Sequence, residues 1–255
     1  MDRAVDQSRR DGTLVVAPHP DDAAWSIGGT IGLLRRPVAL LTVFGRTSYT
    51  REGGFEADAD GVTRRRRSED QAFAARFDLD WEYLELESAG LRSPNPASIF
   101  IDSDEDGAVL DGDRRAVGAR VETGLRAAME RWAPRAVVAP AGIGGHRDHL
   151  IVRDTAVRLA NATGMDLVYY EDLPYALALS DDQLTAVIGR VDPTAKATYV
   201  PIGGTLAAKL SAVSLYRSQV DQRALDGVVE AATKWGPPME RLWARPEIVF
   251  LESLR

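Results

Sequence analysis

TLVVAPHPDDAAWSIGGTI, residues 13–31, changes character at its middle. "TLVVAP" (13–18) is a continuous β-rich apolar run, as expected of a buried parallel strand. "AAWSIGGTIGLLRR" (23–36) reads as a helix with small residues on its packing face. Between them stand His19, Pro20, Asp21 and Asp22. Pro20 disfavours a helical His19, so the imidazole sits at the strand terminus while Asp22 opens the helix. An α/β unit collects ligands at that place, the carboxyl end of a strand.

The strand–helix alternation continues outward. Strands are predicted over 37–44, 81–87, 135–142, 166–173, 195–202 and 247–253. Helices are predicted over 62–77, 114–132, 150–163 and 205–220. Residues 45–62 and 88–112 read as loops, the second long enough for a lid. The expected fold is a single α/β domain over 13–255, a mostly parallel, Rossmann-like sheet flanked by helices, with the active site at the carboxyl ends of the strands. Residues 1–12 read as an N-terminal extension.

Composition narrows the class. The chain has 255 residues, 45% hydrophobic and 27% charged, which fits a soluble globular protein. A net charge of −7 argues against a nucleic-acid partner. No apolar run reaches membrane-span length and the polar N-terminus lacks a signal-like segment, so no membrane partner is expected and the expected compartment is the cytoplasm. The absence of cysteine excludes disulfides and thiolate metal sites. A homo-oligomer is compatible with this composition.

Only three histidines occur, His19, His146 and His149, all in short acidic clusters. The second cluster, "HRDH" (146–149), follows the buried run "RAVVAPAG" (135–142), so both clusters fall at strand ends and face one crevice. If a helix begins at 146–149, His146 and His149 share one side of it, and one of them completes a His/His/Asp site with His19 and Asp22. Three N/O ligands with an open position make a catalytic zinc pattern, and iron, cobalt or manganese suit the same donors. A competing reading makes Asp21 and Asp22 simple helix caps.

The paired motifs resemble the PIG-L/LmbE-like family of zinc-dependent N-deacetylases. "HPDD", "HRDH", the Arg-rich helix with Glu69 followed by "YLEL", and "KLSAVSLYRSQ" carry the resemblance from about residue 13 onward. It implies Zn2+ on His19, Asp22 and His149. It implies Asp21 as general base and His146 as the residue that stabilises the oxyanion and protonates the leaving nitrogen, oriented by Asp148. A histidine paired with a carboxylate has a raised pKa, which suits that task. The implied substrate is a small N-acetylated molecule, an aminosugar or glycoconjugate.

Family members commonly read "HPDDE"; here Ala23 replaces the glutamate, which bears on the support of the site. Gly142, Gly144 and Gly145 allow close backbone approach, either for a bulky substrate or for a tight turn. Substrate-contact candidates are Arg46, Arg64 from the run Arg64–Arg67, Asp172 and Tyr175. Two alternatives stand beside deacetylation: a metal amidase or esterase acting on a thiol conjugate or natural-product intermediate, and a non-catalytic metal- or carbohydrate-binding relative. Intact Asp21, His146 and Asp148 argue against the last.

Overall fold

The computed structural model describes residues 12–93, 99–101 and 104–248. Seven strands form one sheet: β1 (Thr13–Ala17), β2 (Val38–Thr42), β5 (Asp80–Tyr83), β6 (Ala136–Pro140), β7 (Asp166–Tyr170), β8 (Lys196–Pro201) and β9 (Met239–Ala244). Their order is β5-β2-β1-β6-β7-β9-β8. β9 pairs antiparallel with both of its neighbours, and the other pairings are parallel. A separate two-stranded hairpin, β3 (Tyr49–Thr50) and β4 (Gly54–Phe55), lies outside the main sheet.

Strand β1 shows why the sheet sits between two layers. Its five residues are all buried, and alternate side chains enter opposite cores. Leu14 and Val16 join the core containing Val121 and Leu125 of α4 (Asp104–Trp132) and Ile151 and Leu159 of α5 (Arg147–Thr163). Val15 and Ala17 join the core of α1 (Asp22–Ile31), Phe73 of α2 (Ala59–Arg76), Ala212 of α7 (Leu206–Val213) and Val228 of α8 (Gln222–Thr233). A run apolar at every position is therefore required.

Chain direction creates the crevice. From β1 the chain builds β2 and then β5 to one side, and α4 carries it back to β6 on the other side of β1. β1 and β6 are adjacent and parallel, Thr13 opposite Ala136. This is the topological switch point, where the loops after the two strands diverge and leave an opening.

Several predicted elements differ in extent. The α2 helix starts at Ala59, and α5 starts at Arg147. Part of the predicted 88–112 loop is helical, as α3 (Ala89–Arg92) and the first residues of α4. The helix predicted over 205–220 stops at Val213. Helices α6 (Asp181–Val191) and α8 and strand β9 were not anticipated. β9 escapes pattern reading because two of its buried residues are charged: Glu240 pairs with Lys209 at 2.6 Å and Arg241 with Glu171 at 2.5 Å. The predicted strand over 247–253 lies largely outside the described residues, and 247–248 are turn and coil. The predicted extension also lies outside them, apart from Gly12. Among the described residues no helix is long and apolar enough to cross a membrane.

Candidate metal centre and active site

The two sequence clusters meet at the switch point. The three imidazoles of His19, His146 and His149 bring ring nitrogens within 4.8 Å of one another, a cluster able to hold a metal ion. A tighter set includes a carboxylate. His19 Nδ1 and His149 Nε2 are 3.3 Å apart, and each lies 3.3 Å from Asp22 Oδ2. Donors bound at about 2.0–2.1 Å to a tetrahedral ion stand roughly 3.3 Å from one another, so this N/N/O set fits such an ion.

Each imidazole of this set is held from behind by a carboxylate. His19 Nε2 meets Asp148 Oδ2 at 2.8 Å. His149 Nδ1 meets Asp172 Oδ1 at 2.6 Å, while Asp172 Oδ2 accepts a hydrogen bond from the Ile143 N–H. Such partners set tautomer and ring orientation and raise ligand basicity. Asp148 is itself held by the Ala89 N–H at 2.8 Å and by Arg92 Nη2 at 2.7 Å. Arg92 also pairs with Asp113, which in turn pairs with Arg147. Helix α3, inside the predicted loop, thus reaches the centre through one carboxylate.

Burial lowers the proton affinity of His19, but hydrogen bonds to Asp148 and Asp22 outweigh it and raise its pKa to about 9. Asp22 is held at about 2: burial works upward, and His149 and His19 overcome it. Asp148 lies far below the usual carboxylate range despite burial, because of His19 and Arg92. These groups form an interlocked set of opposite charges.

Asp21 stands apart from this set. It occupies the N-cap position of α1 with φ of 100°, yet its side chain makes no capping bond, so the capping reading fails for this residue. A left-handed conformation at a non-glycine residue is costly and concentrates at functional sites. The carboxylate lines the cavity beside Arg66, whose Nη2 is 3.1 Å from Asp21 Oδ1 and 2.5 Å from the Pro20 carbonyl. Burial pushes Asp21 up to about 7, with Arg66 opposing.

His146 is the N-cap of α5, and its Nδ1 accepts the Asp148 backbone N–H at 3.2 Å. That bond leaves the proton of the neutral ring on Nε2. Burial, then the neighbouring imidazoles, push its pKa well down. The expected orientation by Asp148 is therefore corrected in its atoms. The Asp148 carboxylate faces His19, and its backbone amide is what holds His146.

The substrate-contact candidates separate. Tyr175 lines the cavity, its ring 5.9 Å from that of His149 and 5.7 Å from that of Phe100. Asp172 does not face substrate; it is buried against His149 and Ile143. Arg64 is exposed and off the cavity; one half-turn on, Arg66 is the arginine of the run that reaches inward. Arg46 is engaged by Asp60 and Glu87 outside the cavity lining. Of the five tryptophans, Trp25 lines the cavity. Ala23 packs into an apolar core beside Ala17 and Ala24 rather than lining the cavity, and the residues above find their partners without a glutamate there.

Sequence reasoning missed Arg66 as the inward arginine, Arg92 and Phe100. Helix phase distinguishes Arg64 from Arg66 only once the packed face is known; nothing local marks the other two. The weaker matches with the family are cross-links behind the site. Glu69 accepts the Ser218 N–H and hydroxyl, and Asp70 accepts from Thr42, Trp81 and Tyr216.

The fold and site define an α/β protein with a compact His/His/Asp centre beside a carboxylate, Asp21, that lies outside it and is paired with Arg66. The chain belongs to the PIG-L family, GlcNAc-PI de-N-acetylase, whose model matches residues 14–160. It is similar to 2'-N-acetylparomamine deacetylase of Streptomyces fradiae, 34% identical over 234 residues, covering 90% of this chain and 81% of that protein. A solved structure of a deacetylase from the teicoplanin biosynthesis pathway matches 93% of this chain and 100% of its own, with a TM-score of 0.68 and 22% identity. The fold also matches a 4-carboxy-2-hydroxymuconate hydratase from Pseudomonas putida, with a TM-score of 0.60 and 14% identity over 94% of this chain and 98% of that one. The fold therefore does not choose the reaction; the side chains at the switch point must.

Proposed function

We propose that this protein is a zinc-dependent N-deacetylase that releases acetate from an N-acetylated aminosugar in a natural-product intermediate. The observation that carries this reading is the 3.3 Å triangle of His19 Nδ1, Asp22 Oδ2 and His149 Nε2 beside a carboxylate outside the triangle. A binding module has no need of that carboxylate in a strained conformation. The curated deacetylase relative and the family match point to the same reaction class.

His19, Asp22 and His149 would hold the ion, with Asp148 and Asp172 fixing the two rings. A divalent ion there supplies Lewis acidity toward an acyl oxygen and acidifies water. Asp21 accepts a proton from the water that attacks the acetyl carbon, and Arg66 keeps its carboxylate aimed. The His146 Nε2–H donates to the developing oxyanion. When the carbon–nitrogen bond breaks, Asp21 returns its proton to the leaving nitrogen, giving acetate and a free amine. A proton affinity near neutrality suits both taking and giving the proton. This differs from the expectation that His146 supplies that proton: burial and the neighbouring imidazoles disfavour the protonated ring.

The test is acetate release from N-acetylated sugars by the purified protein with metal content measured in parallel. Metal-loaded protein that releases no acetate from any N-acetyl sugar, including 2'-N-acetylparomamine, would defeat the reading.

A further inference from the structure

The outer half of the cavity is built by a hairpin that the chemistry does not use. The cavity holds about 370 Å3, at the low end of pockets that take a drug-sized ligand and more than an acetamido group needs. Register places Tyr49 of β3 opposite Phe55 of β4, with the rings edge to face at 5.3 Å between centroids. Both line the cavity, yet they remain 39% and 38% exposed.

That exposure is held in place. The Arg51 N–H donates to the Ser218 carbonyl, Arg51 Nε pairs with Asp221 at 2.7 Å, and Gln219 Nε2 donates to the Tyr49 carbonyl. Phe55 lies against Gly90 so closely that a Cβ there would come within 2.2 Å of the ring. Phe100 and Tyr175 line the same cavity. The guanidiniums among the described lining residues, Arg51 and Arg66, already have the carboxylates of Asp221 and Asp21. Phosphate would find aromatic side chains where it needs a free cation.

We propose that Tyr49 and Phe55 form a stacking subsite for a second ring attached to the N-acetylated sugar, and that the site selects such glycosides over sugar phosphates. Pyranose and aryl rings share the required chemistry, an apolar face that packs on an aromatic side chain. The inference rests on the deacetylase reading for the inner half of the site.

The probes are N-acetylglucosamine, its p-nitrophenyl glycoside, N,N'-diacetylchitobiose and N-acetylglucosamine 1-phosphate. Binding is measured calorimetrically on metal-loaded Asp21→Asn protein, and acetate release on protein with Asp21 intact. A two-ring probe should bind about 10-fold more tightly than the free sugar. That ratio should fall toward one in Tyr49→Ala and in Phe55→Ala, and persist in Tyr49→Phe, which keeps the ring. Which two-ring probe is preferred distinguishes an aryl from a sugar occupant. A ratio unchanged in both alanine variants, no binding by any probe, or tightest binding of the phosphate would overturn the subsite. Ring-dependent binding without acetate release would leave the subsite standing and sink the deacetylase reading instead.

Discussion

His19 Nε2 and Asp148 Oδ2 are 2.8 Å apart although 129 residues separate them in the chain. The Asp148 carboxylate thereby orients the ring whose other nitrogen faces the centre. Asp148→Asn keeps the shape but weakens that acceptor. Its affinity for zinc should fall about 10- to 100-fold, read by competition with a chromophoric chelator. Unchanged affinity would show that Asp148 is only a packing residue.

Arg92 neutralises Asp148 from the far side. Arg92→Met leaves a buried carboxylate with one fewer partner. The expected loss of stability is about 3 kcal/mol, measured by denaturant unfolding of metal-free protein, with partial recovery in Arg92→Lys. Zinc affinity should fall in the same variant, because Asp148 is freed to move.

Asp21 lies outside the His19/Asp22/His149 triangle proposed to hold the ion, so its loss should separate chemistry from metal binding. Asp21→Asn should retain stoichiometric zinc while kcat drops about 10^2- to 10^4-fold. His149→Ala should lose zinc and activity together. Elemental analysis of both variants beside acetate release checks the division, and zinc loss in Asp21→Asn would refute it.

Without metal, His19 is a cation with pKa raised to about 9. A raised folded pKa contributes stability that is complete below the ordinary histidine value and is lost as pH rises through the folded one. Metal-free protein should therefore lose stability between about pH 6.5 and 9. An ion must displace that proton, so zinc uptake should release protons and weaken as pH falls through the same window. Melting curves of chelator-treated protein and proton release in weakly buffered titrations measure the two effects. A Tm flat across this window would contradict the assigned charge.

Much of the site was legible along the chain. The two His/Asp clusters each follow a buried apolar strand, and that placement alone brings them to the carboxyl edge of a parallel sheet. Strand β9 was not legible, because Glu240 and Arg241 are buried with partners far off in the chain, Lys209 of α7 and Glu171 just after β7. The loop expected over 88–112 hid helix α3, whose Ala89 N–H and Arg92 hold Asp148.

Local order along the chain determined which residues stand at the strand ends that meet, since strand periodicity and the turn at Pro20 are short-range effects. It left undecided which atoms face which. The Asp148 carboxylate turns to His19, Asp172 backs His149, and Arg66 rather than Arg64 reaches Asp21. Those choices depend on strand order, on the register of β1 against β6 and on the packed face of α2. Each is set by contacts between segments distant in sequence, and no neighbouring residue encodes them.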